Sequence, residues 1–420
     1  MNVGTAQIDI TPRKGVALSG FAARTQPATG VLDPLYAKAL YLAAGGERLL
    51  WIHTDLVGLE EPFVLTFREW AARRLELAPH RVMLSATHTH SGPATIHLTE
   101  AGEYDAAYVA HLQERLKEAA FTATHHTEPC EVVHAEGRLE LAVDRRGGPS
   151  AHHDPRVGAI GWRRRTGEFA AVQVNYAMHS VALGSSNRCI SADVPGQCAQ
   201  ALSKRLPGSP LVLATNGACG NLNPPAEDVP FALVEEWGTQ IAQAVADKLR
   251  HAGPLPHPVL SVRQRTVPLA TECLDAAGIA ASARMALSNH QALQQWGDCF
   301  RRAVHEWQRS MTEAACSGRA PQNQIIELQA VRLGPIVIIG AGAELFSKFT
   351  ELVQAQCFAK VYTIGYANGL SGYIPATAAY AEGGYEVELA HLFYNRFRLQ
   401  RGCLEQLAEH AVLLVREVLE

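Results

Sequence analysis

The stretch Val82-Met83-Leu84-Ser85-Ala86-Thr87-His88-Thr89-His90-Ser91-Gly92-Pro93 runs from a short apolar segment into a His-Thr-His triplet and a Gly-Pro turn. A brief apolar run closed by turn residues reads as a buried strand. In extended chain, residues i and i+2 face the same way. His88 and His90 are therefore expected to project together from the strand's carboxyl end. Strand carboxyl ends are where α/β sheets build their sites, and two neutral imidazoles there suit a zinc-class metal. The plainer alternative is a pair of surface or hydrogen-bonded histidines.

The segments around this stretch alternate between strand and helix. Arg48–Leu56 reads as a strand ending in His53-Thr54-Asp55, and Glu61–Leu77 has helical spacing that stops before Pro79. Tyr104–Ala120, Gly196–Leu206 and Phe231–His251 read as helices; Glu131–Val143, Phe169–Ala177 and Leu211–Ala214 read as strands. Gln324–Gly340 reads as two strands paired through Leu333-Gly334-Pro335, and the chain from Arg401 as a helix. Such alternation points to an α/β fold, a mixed β-sheet core covered by helices. The stretch from Thr271 to about Gln322 departs from it: Ala276–Arg309 is mainly helical. With no Pro/Gly/Ser-rich linker, the expectation is a single large catalytic domain over 1–420 carrying a helical insertion or lid at about 271–322.

Composition narrows the function. The chain has 420 residues, 47% apolar and 19% charged, which is ordinary for a globular protein. The net charge of −4 gives no basic excess, so no nucleic acid is expected as a partner. No apolar run approaches the ~18 residues of a membrane helix, and no stable membrane anchor is expected. The N-terminus has neither a positive n-region nor a long apolar h-region. The nine cysteines include no Cys-x-x-Cys and read as reduced thiols. Together these suggest a cytoplasmic protein.

Other strand ends also carry chemistry. Asn175-Tyr176-Ala177-Met178-His179 closes one strand. Leu213-Ala214-Thr215-Asn216 leads into Gly217-Ala218-Cys219-Gly220-Asn221-Leu222-Asn223-Pro224. The apolar Ile336–Ile339 leads through Gly340-Ala341-Gly342-Ala343 to Glu344. Gly365-Tyr366-Ala367-Asn368 is glycine- and tyrosine-rich, as is the chain through Tyr373 to Tyr385. Each alone has an ordinary structural explanation. Together they place histidine, glutamate, tyrosine and asparagine at several strand ends, as α/β enzymes do when assembling a site.

These residues resemble the neutral/alkaline non-lysosomal ceramidase family. The likeness rests on Thr87-His88-Thr89-His90-Ser91-Gly92-Pro93, on His179, on Gly220-Asn221-Leu222-Asn223-Pro224, on Gly342-Ala343-Glu344 and on Gly365-Tyr366-Ala367-Asn368. It also includes the opening Gly4-Thr5-Ala6-Gln7-Ile8-Asp9-Ile10-Thr11-Pro12. The resemblance implies a zinc-dependent amidase that splits an N-acyl bond, with one Zn²⁺ per subunit. It implies His88, His179, Glu344 and Tyr373 as metal ligands, His90 beside the substrate, and Tyr385 on the scissile group. Arg145 is implied as a substrate-binding or catalytic residue. Asn216 and Asn223 are the further substrate-binding candidates.

The sequence departs from the family at two places. Asn223 stands where the ceramidases carry a serine, so water on the metal is the expected nucleophile. The chain ends at Glu420 in a helix, where the ceramidases continue into an immunoglobulin-like domain. The expected partner is therefore a soluble or modest-sized N-acyl small molecule and not membrane ceramide. Asp55 and Asp193 are candidates to orient the metal-binding histidines. Two rivals remain: a metal-dependent phosphoesterase or other ester hydrolase using His88 and His90 with Asp55 and Asn216 around two metals, and a non-catalytic zinc-binding protein. A serine esterase is disfavoured because no Gly-x-Ser-x-Gly elbow is present.

Overall fold

Alternation along the strand Tyr36–Ala44 sets the layering. In the computed structural model, which describes all 420 residues, Ala37 and Ala39 pack under Val64 and Phe67 of the helix Glu61–Leu75 and under Leu112 and Leu116 of the helix Ala106–His125. Leu40 and Leu42, on the opposite face, meet Leu260, Val262, Ile336 and Ile338 of a second sheet. One strand thus faces helices on one side and another sheet on the other.

The larger sheet has eight strands in the order Leu211–Asn216, Phe169–Tyr176, Arg156–Arg164, Thr127–Arg138, Asn2–Asp9, Tyr36–Ala44, Glu47–Thr54, Val82–Ala86. Its two outermost pairs are parallel and the inner ones antiparallel. The smaller sheet orders Leu260–Ala270, Asn323–Leu333, Ile336–Ala341 and Lys360–Ile364, the last pair parallel. The helices Asp193–Arg205 and Phe231–His251 complete the outer cover of the larger sheet. Lys348–Gln354 and Cys403–Leu419 cover the smaller. The α/β core is therefore four layers, helix–sheet–sheet–helix.

The larger sheet curls until its two edges meet. The Asn216 amide, from one edge strand, donates to Thr87 O beyond the other at 2.9 Å. His53 Nε2 lies 2.9 Å from Ala214 O across the same gap. The smaller sheet closes on this seam: Gly365 N donates to Asn216 O and Asn368 N to Leu84 O. Carboxyl ends of strands from both sheets consequently finish at one place.

Two expectations shift at their edges. The strand expected over 131–143 runs Thr127–Arg138. It begins earlier because Thr127–Pro129 pair with Asn2–Gly4, a partner far away in sequence. It ends earlier because the Leu141 and Ala142 amides donate to the Tyr176 hydroxyl and not to a strand. Between Ala270 and Asn323, which are paired with each other, the chain leaves the sheet as the helices Ala276–Leu287 and His290–Cys316. These build their own apolar cluster with Leu392, Phe393 and Phe397. All nine cysteines are free. No helix is long and apolar enough to cross a membrane.

Candidate metal centre

The His-Thr-His segment does not stay extended. His88 has φ of 58°, in the left-handed region that a β-strand excludes. The two imidazoles meet through this turn and not through strand alternation, with Nε2 atoms 3.2 Å apart. Two contacts hold the turn. The His88 Nδ1 lies 2.6 Å from Val57 O. Its ring stacks on Tyr366 at 4.0 Å and 9°.

His179 arrives from the Phe169–Tyr176 strand and Glu344 from just beyond Ile336–Ala341. His179 Nε2 is 3.0 Å and His88 Nε2 3.4 Å from the same Glu344 oxygen, Oε2. The other oxygen, Oε1, accepts from the Tyr394 hydroxyl. All three groups are buried. A ligand atom from each of His88, His90 and His179 lies within 4.8 Å of the others, a spacing suited to one metal ion.

Proton placement tests whether a cation fits. Carbonyls only accept hydrogen bonds. The His179 Nδ1, 2.8 Å from Cys219 O, must carry its proton there, as must the His88 Nδ1 against Val57 O. Burial pushes the His179 pKa down, against the hydrogen bond to Glu344 that raises it, and in the neutral ring with Nδ1 protonated Nε2 is the free lone pair. Burial alone would raise the Glu344 carboxyl, but His88 and His179 outweigh it and hold the pKa well below the usual carboxylate range. The His179 Nε2 and the Glu344 carboxylate oxygen facing each other at 3.0 Å need a cation between them, a proton or a metal ion. Two imidazole nitrogens with one carboxylate oxygen is a catalytic zinc donor set. The residues present therefore fit a zinc-class ion.

His90 differs from the other two. Its Nδ1 has no partner. Burial, then the neighbouring His88 and His179, drives its pKa well down. Gly20 makes room for it: a Cβ there would lie 2.4 Å from the His90 ring. The Arg24 guanidinium donates to His90 O at 2.7 Å.

Arg145 organises the opposite wall. Its guanidinium donates to Glu386 Oε1 at 2.7 Å, Gly220 O at 2.9 Å, Asn223 Oδ1 at 3.1 Å and the Tyr373 hydroxyl at 3.2 Å. The Tyr373 ring lies parallel to that of His179, centroids 6.3 Å apart. The Tyr385 ring stands edge-on to Tyr373 at 5.8 Å. His88, His90, Arg145, Asn223, Glu344, Tyr373 and Tyr385 all line one cavity of about 800 Å³.

Three expected residues lie elsewhere. Asn216, expected on the substrate, does not line this cavity; its buried amide donates to Thr87 O, Met178 O and Ser180 Oγ, tying loops together. Asp55 accepts from Tyr36 N and pairs with Lys38, and Asp193 accepts from the Ala182, Leu183 and Val194 amides. Backbone carbonyls of Val57 and Cys219 orient the histidines instead. With Asp55 and Asn216 engaged away from the histidines, two of the four donors assigned to a two-metal phosphoesterase lie elsewhere. Tyr394, on Glu344, was missed: it follows a four-residue helical turn, Ala390–Phe393, with no strand end or motif to mark it. The stacking of Tyr366 on His88 was also missed, although Gly365-Tyr366 stood out in the sequence.

No protein-family model matches the chain. The neutral ceramidase of Pseudomonas aeruginosa is 26% identical over 218 residues, covering 46% of this chain and 32% of the relative. The chain thus matches about a third of that relative's length. The crystal structure of neutral ceramidase from Pseudomonas aeruginosa superposes with a TM-score of 0.74 at 20% identity, over 99% of this chain and 74% of that one. A ceramidase complexed with C2 gives 0.76 at 18% identity, over 99% and 75%. The chain is a homologue of neutral ceramidase and shares the neutral-ceramidase fold.

Proposed function

We propose that the chain is a zinc-dependent hydrolase of N-acyl amide bonds acting on soluble or modest-sized substrates. The observation that carries this reading is the convergence of His88 Nε2 and His179 Nε2 on Glu344 Oε2, with His88 and Glu344 lining the cavity and each group held from behind. Kinship with neutral ceramidase supplies the amide bond as the reaction class. When bound, a zinc-class ion supplies Lewis acidity towards a carbonyl oxygen and brings the pKa of water down to about 7.

The chain's own groups supply the rest. Tyr394 fixes the Glu344 carboxylate so that Oε2 faces the histidines. Burial and the nearby Glu344 charge raise the Tyr385 phenol, which stays protonated and can donate to an oxyanion on the scissile carbonyl. His90 lines the cavity with its Nε2 beside that of His88, and is the candidate to move a proton to the leaving amine. Arg145 holds Tyr373 against His179.

The cavity bears on substrate size. About 800 Å³ suits one modest-sized molecule. Its wall mixes Asn223, Glu227, Asn289, Gln291 and Gln295 with Phe21, Leu98, Val181, Leu389 and Phe393, so polar groups stand beside room for a modest acyl chain. In the assay, zinc-loaded protein meets N-acyl amino acids, short-chain amides and long-chain ceramide in micelles, and amine release is measured. Soluble amides are expected to turn over faster, with activity lost on chelation and restored by zinc. Failure to cleave any amide with zinc bound would overturn the reaction; a kcat/KM for ceramide above every soluble amide would overturn the size class.

Asn223 tests the nucleophile. Its Oδ1 accepts from Arg145 and its Nδ2 donates to Glu227 at 2.6 Å, so it bridges two side chains. Asn223→Ala leaves Arg145 three other partners. The expected loss in kcat/KM is within about 100-fold, the range of a hydrogen bond to a charged group at about 1.5–3 kcal/mol. Mass spectrometry during turnover should find no acylated residue; a trapped acyl-enzyme would refute the water mechanism.

A further inference from the structure

Gly297 breaks the helix His290–Cys316, with φ 53° and ψ −127°, a conformation that only glycine adopts without strain. A Cβ there would meet no atom within 4 Å, so the position needs glycine for its backbone and not for space. The segment before the break, from Asn289 to Trp296, lines the cavity through Gln291, Ala292, Gln295 and Trp296. Trp296 is the large rigid member of this group.

Its ring lies 5.7 Å from Tyr385 and 5.5 Å from Phe393. Tyr385 is 5.8 Å from Tyr373, and Tyr373 is 6.3 Å from His179. One column of rings therefore connects the helical stretch at 271–322 to the histidine cluster. The other groups that this segment presents are either small, like Ala292, or exposed and flexible, like Gln291 and Gln295. An indole has only two side-chain torsions and holds its place when a ligand presses on it.

We propose that Trp296 is a specificity-determining residue: its indole closes the cavity beside Tyr385 and sets the largest group a substrate can carry next to the scissile amide. The proposal rests on the reading of the site as an N-acyl amide hydrolase. The glycine break presents the indole to the cavity, and the Phe393 contact fixes its depth. One methylene more or less in an apolar pocket changes kcat/KM by roughly 10–200-fold, so a wall of this kind selects sharply.

The test uses the full-length zinc-loaded protein, Trp296→Ala and Trp296→Phe, with amides graded in bulk on the acyl and amine sides. Wild type is expected to show a steep fall in kcat/KM at one size. Trp296→Ala should raise kcat/KM for the first excluded amide at least ~10-fold relative to the smallest one, and Trp296→Phe by less. Thermal-shift binding of the same amides to chelator-treated protein reads the size limit without turnover. An unchanged limit in whichever variants circular dichroism shows to be folded overturns the proposal, and Trp296→Phe preserves a ring against Phe393 so that folding is retained. If wild type cleaves no amide while the binding limit still moves in Trp296→Ala, the size filter stands and the amidase reading falls.

Discussion

His179→Ala is expected to remove the metal and, with it, at least ~10³-fold of kcat. Two donors remain on the Glu344 side, His88 Nε2 and Glu344 Oε2, 3.4 Å apart. The position facing Glu344 Oε2 at 3.0 Å is lost. His90 Nε2, 3.2 Å from that of His88, faces the same place, so occupancy is read after dialysis, which removes an ion held by the remaining groups alone. His179 makes a single backbone contact through Nδ1, to Cys219 O, so the fold should survive. The readout is zinc per chain by elemental analysis after dialysis, with His88→Ala beside it. Wild type should hold close to one ion and both variants close to none. Full zinc occupancy in both would sink the ligand assignment, whatever the activity did.

The chemistry of these residues was easier to read in the sequence than their geometry. Apolar runs ending in His, Asn or Glu are local features, and local features mark strand ends. The His88–His90 pairing was anticipated, but by extended-chain alternation, whereas the chain turns left-handed at His88. That turn depends on Val57 O and on the Tyr366 ring, partners distant in sequence. Asp55 looked like a histidine partner because it follows a strand, as the site residues do. Its own neighbour Lys38, brought beside it by strand pairing, takes it instead. Tyr394 carried no signal at all, because what makes it matter is a contact across 50 residues with Glu344.

The same limit applied to the layers. Alternation in Tyr36–Ala44 shows two apolar faces, but not that helices cover one and a second sheet the other. The stretch 271–322 was legible as helical because its spacing is local. That its strands of departure and return pair with one another was legible only in part, through the apolar alternation on either side.

Tyr385→Phe is expected to lower kcat by ~10²-fold or more, with KM changed by less than about 3-fold. Tyr385 opens a short helix directly after Gly383 and Gly384, whose φ values of 68° and 93° turn the chain back towards the cavity. Contacts with Tyr373, Trp296 and Phe393 at 5.8, 5.7 and 6.2 Å hold the ring, and all survive in phenylalanine. The phenol lines the cavity, and burial keeps it protonated. Removing its oxygen therefore deletes a donor without opening a hole, and stability should change by less than about 1 kcal/mol. A group that donates to an oxyanion binds more strongly as charge develops on the carbonyl, so its loss falls on kcat and not on substrate affinity. Steady-state kinetics on the best soluble amide decides the matter, with zinc content and Tm measured on the same preparation. A rise in KM at unchanged kcat would make Tyr385 a binding residue and leave the oxyanion without its phenol donor.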